Sequence, residues 1–194
     1  SSAALALAGY AGAVALAAWP LPLRLASALP GDPSGDTGVY VWNHWIFRHE
    51  IAVHGVVPIR TSHVLVASGP VDLSLHNFTW FQNALAYPLI PLVGVVGAFN
   101  LVWLAMQALA GFAVFLLARR VTGRPVTAWL GGLLFACSPS IVSRTMAHQS
   151  LVAAAPIAIF LLLVERTMES RRETHALLAG LAAAWAALCD AYYG

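Results

Sequence analysis

The chain has 194 residues, of which 60% are hydrophobic and 9% charged. That is about a third of the roughly 25% charge usual in soluble domains, so water is excluded as its only solvent. The ten basic residues are all arginine and the net charge is +2, too small a surplus for a nucleic-acid partner.

The composition reads as an all-α, polytopic helical membrane protein, whose abundant Ala and Gly suit close helix packing in lipid. Residues 3–23 form the first apolar run, with about the 20 residues a helix needs to cross a hydrocarbon core. Trp19, Pro20 and Pro22 mark its exit, and we expect a transmembrane helix here. The rival is a signal peptide, but the run is longer than an h-region and lacks a basic n-region. Opening without Met and stopping at "CDAYYG" behind an apolar run, the chain reads as a piece of a longer polypeptide.

Residues 24–79 are polar and hold four of the eight acids (Asp32, Asp36, Glu50, Asp72) and five of the seven histidines (His44, His49, His54, His63, His76). Within them, residues 39–54 form a helix that is aromatic on most sides, which suits a helix lying at the membrane surface with Trp42 and Trp45 as interfacial anchors. The stretch that follows, "GVVPIRTSHVLVASGPVDLSLHN", mixes Pro, Gly and β-branched residues and reads mainly as loop.

Pro88, Pro91 and Gly94 break the next apolar stretch into a short interfacial helix and a span over 97–118. Further spans are expected over 126–142, over 148–164 and from 176 onward. The expectation is one membrane domain over 1–194: a first helix, a loop over 24–79 with its interfacial helix, and helices two to five within 80–194, about five crossings in all. Arg119, Arg120 and Arg124 form one cluster and Arg166, Arg171 and Arg172 another, two crossings apart, and the positive-inside rule puts both in the cytoplasm. The 24–79 loop then faces outward from the plasma membrane, joined there by "SPSIVSRTMAHQS".

Asp36 follows Gly35 and precedes the helical stretch, as an N-cap would. At about 100° per residue, however, Asp36, Asn43, Glu50 and His54 fall along one polar stripe that must face water, protein or ligand. A carboxylate near hydrophobic walls can have its pKa raised into the range of a general base. It can equally orient a hydroxyl or hold a divalent cation such as Mg or Mn. Asp32, in "GDPSG", reads first as a turn residue ahead of Pro33 and second as another catalytic or metal-binding carboxylate. The histidines show no HxH or HExxH spacing, so no dedicated transition-metal site is expected. Arg60, Arg144 and His148 are candidates for an anionic group, because Arg binds phosphate bidentately and is costly near lipid without such a partner. For any single one of them, contact with lipid headgroups or an ion pair with an acid is the first reading and anion binding the second. Cys137 and Cys189 lie in apolar runs and read as packing residues. No Gly-rich phosphate loop, G-x-S-x-G or nucleotide fingerprint occurs.

A first span, an outer loop opening "GDTGVYVWNHW", then "GPVDLSLHN", a span ending "LLARRVTGRP" and the stretch "LLFACSPSIVSRTMAHQSL" together resemble the bacterial multi-pass glycosyltransferases of the GT-C superfamily. The resemblance implies sugar transfer from a polyprenyl-phosphate donor to a glycan, lipid or protein acceptor, with an acid early in the first outer loop as general base. That acid falls on Asp36, with Trp42 as the matching aromatic and Asp32 as the fallback, while His148 stands at the outer end of a span. A paired-acid or D-x-D form is absent, since three residues separate Asp32 from Asp36. The rival from another class is a transporter or flippase of lipid-linked saccharides, which calls for polar residues within spans; Asn100 and Gln107 are the hints of that kind. A structural subunit without chemistry would leave the loop's acids and histidines unexplained.

Overall fold

A computed structural model describes residues 2–32, 35–64, 69–145 and 148–194. Eight α-helices carry most of the described chain: α1 (Ser2–Ala17), α2 (Thr37–His49), α3 (Trp80–Ala86), α4 (Ile90–Thr122), α5 (Pro125–Ala136), α6 (Pro139–Arg144), α7 (Ala155–Ser170) and α8 (Glu173–Cys189). The described exception to helix and loop is a two-residue antiparallel pair, β1 (Arg60–Thr61) with β2 (Val71–Asp72), in which Arg60 faces Asp72.

Three stretches are long and apolar enough to cross a membrane: Ile90–Thr122, Pro125–Arg144 and Gln149–Ser170. The helices in the other two apolar runs are shorter as described. The helix in the first ends at Ala17, ahead of Pro20 and Pro22, whose missing N–H groups cannot continue an α-helix. Its 16 described residues, Ser2–Ala17, span about 24 Å. The last, α8, has 17 residues. The stretch 80–96 is also divided: α3 stops at Ala86, and α4 starts at Ile90 but bends at Gly94, whose φ of 75° is open to glycine at little cost. The expected spans over 126–142 and 148–164 each carry a break, between α5 and α6 at Cys137–Ser138 and between a 3-10 turn (Gln149–Val152) and α7.

The central helix is α4, packed against α1, α5 and α7, with α8 beyond α7. Small residues allow the close approach: Gly111 and Gly132 meet across the α4–α5 contact, and a Cβ on Gly132 would collide with the Gly111 carbonyl and the Tyr10 phenol. The Tyr10 hydroxyl donates to the Trp129 carbonyl at 2.8 Å, which ties α1 to α5. Asn100 and Gln107, polar residues inside an apolar helix, are likewise spent on structure. Asn100 donates to the Leu25 and Ala28 carbonyls at 2.7 Å each, and Gln107 to the Ala136 carbonyl at 2.8 Å.

The turns α4–α5 and α7–α8 carry both arginine clusters at one end of the bundle, where Arg120 pairs with Glu165 and Glu169. At the other end α2 and α3 lie across α4 and α8. Ile46, Leu73 and Phe78 make a small core beneath α2 that Trp42, Phe47 and Trp80 complete.

Candidate functional site

The end of the bundle under α2 gathers polar side chains from four parts of the chain. The Asp36 carboxylate lies 3.4 Å from His148 Nδ1, each side chain about half exposed (52% and 48%). Asp36 occupies the N-cap position of α2, yet its side chain accepts no capping hydrogen bond, so the imidazole and not the helix terminus engages it. One turn along α2, the Tyr40 hydroxyl is 3.0 Å from Ser150 Oγ. Burial pushes the Tyr40 phenol up, the Ser150 hydrogen bond opposes this, and the Asp190 and Asp36 carboxylates add to the rise. Gln149 donates to the Thr145 carbonyl at 2.9 Å and to Thr37 Oγ1 at 3.4 Å, and so fastens the His148 segment to the start of α2.

Asp190 was not among the expected site residues. Its side chain is 1% exposed, held by Asn77 Nδ2 at 3.1 Å and by the Tyr192 N–H at 2.7 Å. The contacts continue through the loop: Asn43 donates to the Asn77 carbonyl at 3.1 Å, and its Oδ1 is 2.7 Å from His76 Nε2. An acid directly behind an apolar run was the visible signal, but its partner Asn77 lies across the fold. Deeper in, His44 bonds Asn83, which also donates to the Phe78 carbonyl. Gln82 and Gln149, each with a buried Oε1 that has no protein partner, line a cavity of about 20 Å³, the room of a single water, and Trp103 stands between it and a groove on its other side.

The expected polar stripe is not one site. Fourteen steps of helix separate Glu50 from Asp36, about 20 Å, and Asn43 and Glu50 are buried rather than turned to water. Glu50 accepts from Thr61 Oγ1 at 3.1 Å and faces His63 Nδ1 at 3.4 Å. His54 sits on the π-helical turn Glu50–His54 that extends α2, against His49 with ring centroids 5.5 Å apart. Arg60 adjoins this far end through Thr61 and pairs with Asp72 at 3.5 Å, so it is not beside Asp36. Trp45 is 37% exposed and stacks on His49 at 4.9 Å, while Trp42 packs edge-on against His76 at 6.0 Å within the small core. Asp32 is exposed, and its carbonyl accepts from the Gly35 N–H at 2.9 Å, as in a turn. Pro33, the residue expected to shape that turn, lies outside the described residues. Among the described residues, no three His, Cys, Asp or Glu side chains gather closely enough to hold a metal ion.

Two lateral grooves flank α6 at this end. One, of about 400 Å³, runs between α5–α6 and α7 over α4, lined by Val114, Leu117, Phe135, Ile157 and Leu161, with Arg144, Ser140 and Tyr193 at its rim. Arg144 is exposed and makes no ion pair among the described residues. The other groove, of about 350 Å³, lies between the end of α1 and α6.

Residues 83–193 match the family described as Domain of unknown function (DUF6311), and the chain belongs to that family. Arg144, His148 and Asp190 fall within the matched stretch, whereas Asp36 precedes it. No curated protein and no solved structure matches the chain.

Proposed function

We propose that the chain is part of a multi-pass membrane glycosyltransferase of the GT-C type, which moves a sugar from a polyprenyl-phosphate donor to an acceptor hydroxyl at the extracytoplasmic face. The observation that carries this reading is the meeting of Asp36 with His148 at a half-exposed position, at the end of the bundle away from the arginine clusters. The positive-inside rule makes that end extracytoplasmic.

In this reaction the acceptor oxygen attacks the anomeric carbon, and its proton passes to the Asp36 carboxylate. The bond from the anomeric carbon to the phosphate oxygen breaks, and the lipid phosphate leaves with the electron pair. His148 holds the carboxylate in position through its imidazole N–H. Arg144, whose guanidinium stands at the rim of an apolar groove, offsets the charge that grows on the leaving phosphate. Arg60 has no part in this step because Asp72 already engages it. The groove below Arg144 suits the donor's hydrocarbon chain, which would bring the phosphosugar to Asp36 already oriented.

The test is Asp36→Asn in the full-length protein, assayed for sugar transfer from polyprenyl-phosphate donors. A loss of about a hundredfold or more is expected for a general base. Asp32→Asn should transfer at close to the wild-type rate. Full retention of transfer by Asp36→Asn removes Asp36 as the base and the reading with it.

A further inference from the structure

The second groove is placed differently from the first. Its rim is formed by Pro30 and Gly31, and the Thr37 hydroxyl donates to the Pro30 carbonyl at 3.2 Å, so the rim is fastened to the residue after Asp36. Its wall is Ala17, Leu21 and Val142, and Arg24 stands exposed beside it with no ion pair among the described residues. Trp103, 7% exposed, lines this groove as well as the water-sized cavity, and its indole N–H has no acceptor in the protein. A buried donor without a partner, under an apolar groove headed by an arginine, fits an amphipathic molecule rather than an apolar one. It supplies an oxygen to the indole, an anion to the guanidinium and a hydrocarbon chain to the wall.

We propose that this groove is the acceptor site, and that the acceptor is a lipid whose headgroup carries a phosphate and a free hydroxyl. The proposal rests on the transferase reading above, and it names the acceptor class that reading leaves open. Arg24 takes the phosphate, Trp103 Nε1 donates to an ester or ether oxygen, and the headgroup hydroxyl passes over Pro30 and Gly31 towards Asp36. The groove on the other side of α6 stays with the donor. The two lipids then approach one carboxylate from opposite flanks of a six-residue helix.

The experiment uses the full-length protein in lipid nanodiscs with a diazirine-bearing phosphatidylglycerol, whose headgroup has both required groups. Labelled positions are mapped by peptide mass spectrometry. Labelling is expected within 17–31 and at 142–145. It should weaken about tenfold in Arg24→Gln and fall to background in Val142→Trp, which fills the groove. Diazirine-bearing phosphatidylcholine, which lacks the free hydroxyl and the net charge, should label the same peptides about tenfold less. Labelling of the wild-type protein elsewhere, undiminished labelling of Val142→Trp, or equal labelling by phosphatidylcholine would each overturn the proposal, and the first needs no variant to fold. The two claims separate cleanly. Labelling in the groove together with full transfer by Asp36→Asn leaves the lipid site standing and removes the base. Loss of transfer in Asp36→Asn with labelling elsewhere keeps the base and removes the lipid site.

Discussion

His44 is on the buried side of α2, with its ring bonded to Asn83 and tilted against Phe99 at 5.6 Å. Burial pushes its pKa from 6.5 down to about 4, against a smaller upward pull from the Asn83 hydrogen bond. His76 is shifted the same way by burial. A histidine whose folded pKa lies below its unfolded value contributes its full stability above the unfolded pKa. It loses that stability as the pH falls, because the unfolded chain then binds more protons. For His44 the window runs from pH 6.5 to about 4, and the loss across it is about 3 kcal/mol. The thermal midpoint of the wild-type protein in detergent should therefore fall on going from pH 7 to pH 4.5. His44→Gln, which cannot titrate, should flatten much of that slope. At this scale the sequence showed where the ionisable residues stand along the chain but not their state. Asp36 was visible as an acid before a helix and His148 as a residue of the same outer face, but nothing in the string said that the two side chains would pair. Asp190 was equally visible, and went unassigned because its partner, Asn77, lies in a loop with no pattern of its own.

Helices α1, α4 and α5 meet at positions where a side chain has no room. Gly132→Val would drive carbon atoms into the Tyr10 phenol and the Gly111 carbonyl, an overpacking cost of about 1–3 kcal/mol. A lower midpoint is expected, with Gly12→Ala, at a position with open space around it, as the near-silent control. Asn100→Ala removes two hydrogen bonds that hold the turn after α1 on α4. Faster amide exchange over 21–28 than in the wild-type protein would show that the turn has come loose, and unchanged exchange would show that the packing of Leu21 alone holds it. The apolar runs and their proline ends were legible from periodicity and length, since lipid-scale helices need little else to be recognised. Their exact reach was not. Pro20 and Pro22 cut the first helix before the run of apolar residues ended, and Gly94, expected to help break the next stretch, bends α4 without ending it. The stripe from Asp36 to His54 failed for a related reason: a helix face is narrow in angle but about 20 Å long here, so residues that share it need not share a site.

Across the whole molecule, the loop between α2 and α3 is tied to the end of α8 through His76, Asn43, Asn77 and Asp190. Asn77→Ala should leave the buried Asp190 carboxylate short of one donor and cost about 2 kcal/mol. Hydrogen exchange should speed up in both 71–79 and 189–193. Acceleration in the loop alone would show that the clamp does not reach α8. The sequence by itself determined the apolar and helical character, the arginine-rich turns and the polar segment that sits opposite them, because each follows from local composition and spacing that no packing can reverse. The tertiary structure alone decided that Asp36 faces His148 while Glu50 turns inward to Thr61 and His63. It alone decided that Arg60 is occupied by Asp72 and that α6 stands between two grooves. Those outcomes depend on which helices lie side by side, and helix pairing is set by the fit of small and large side chains across distant parts of the chain.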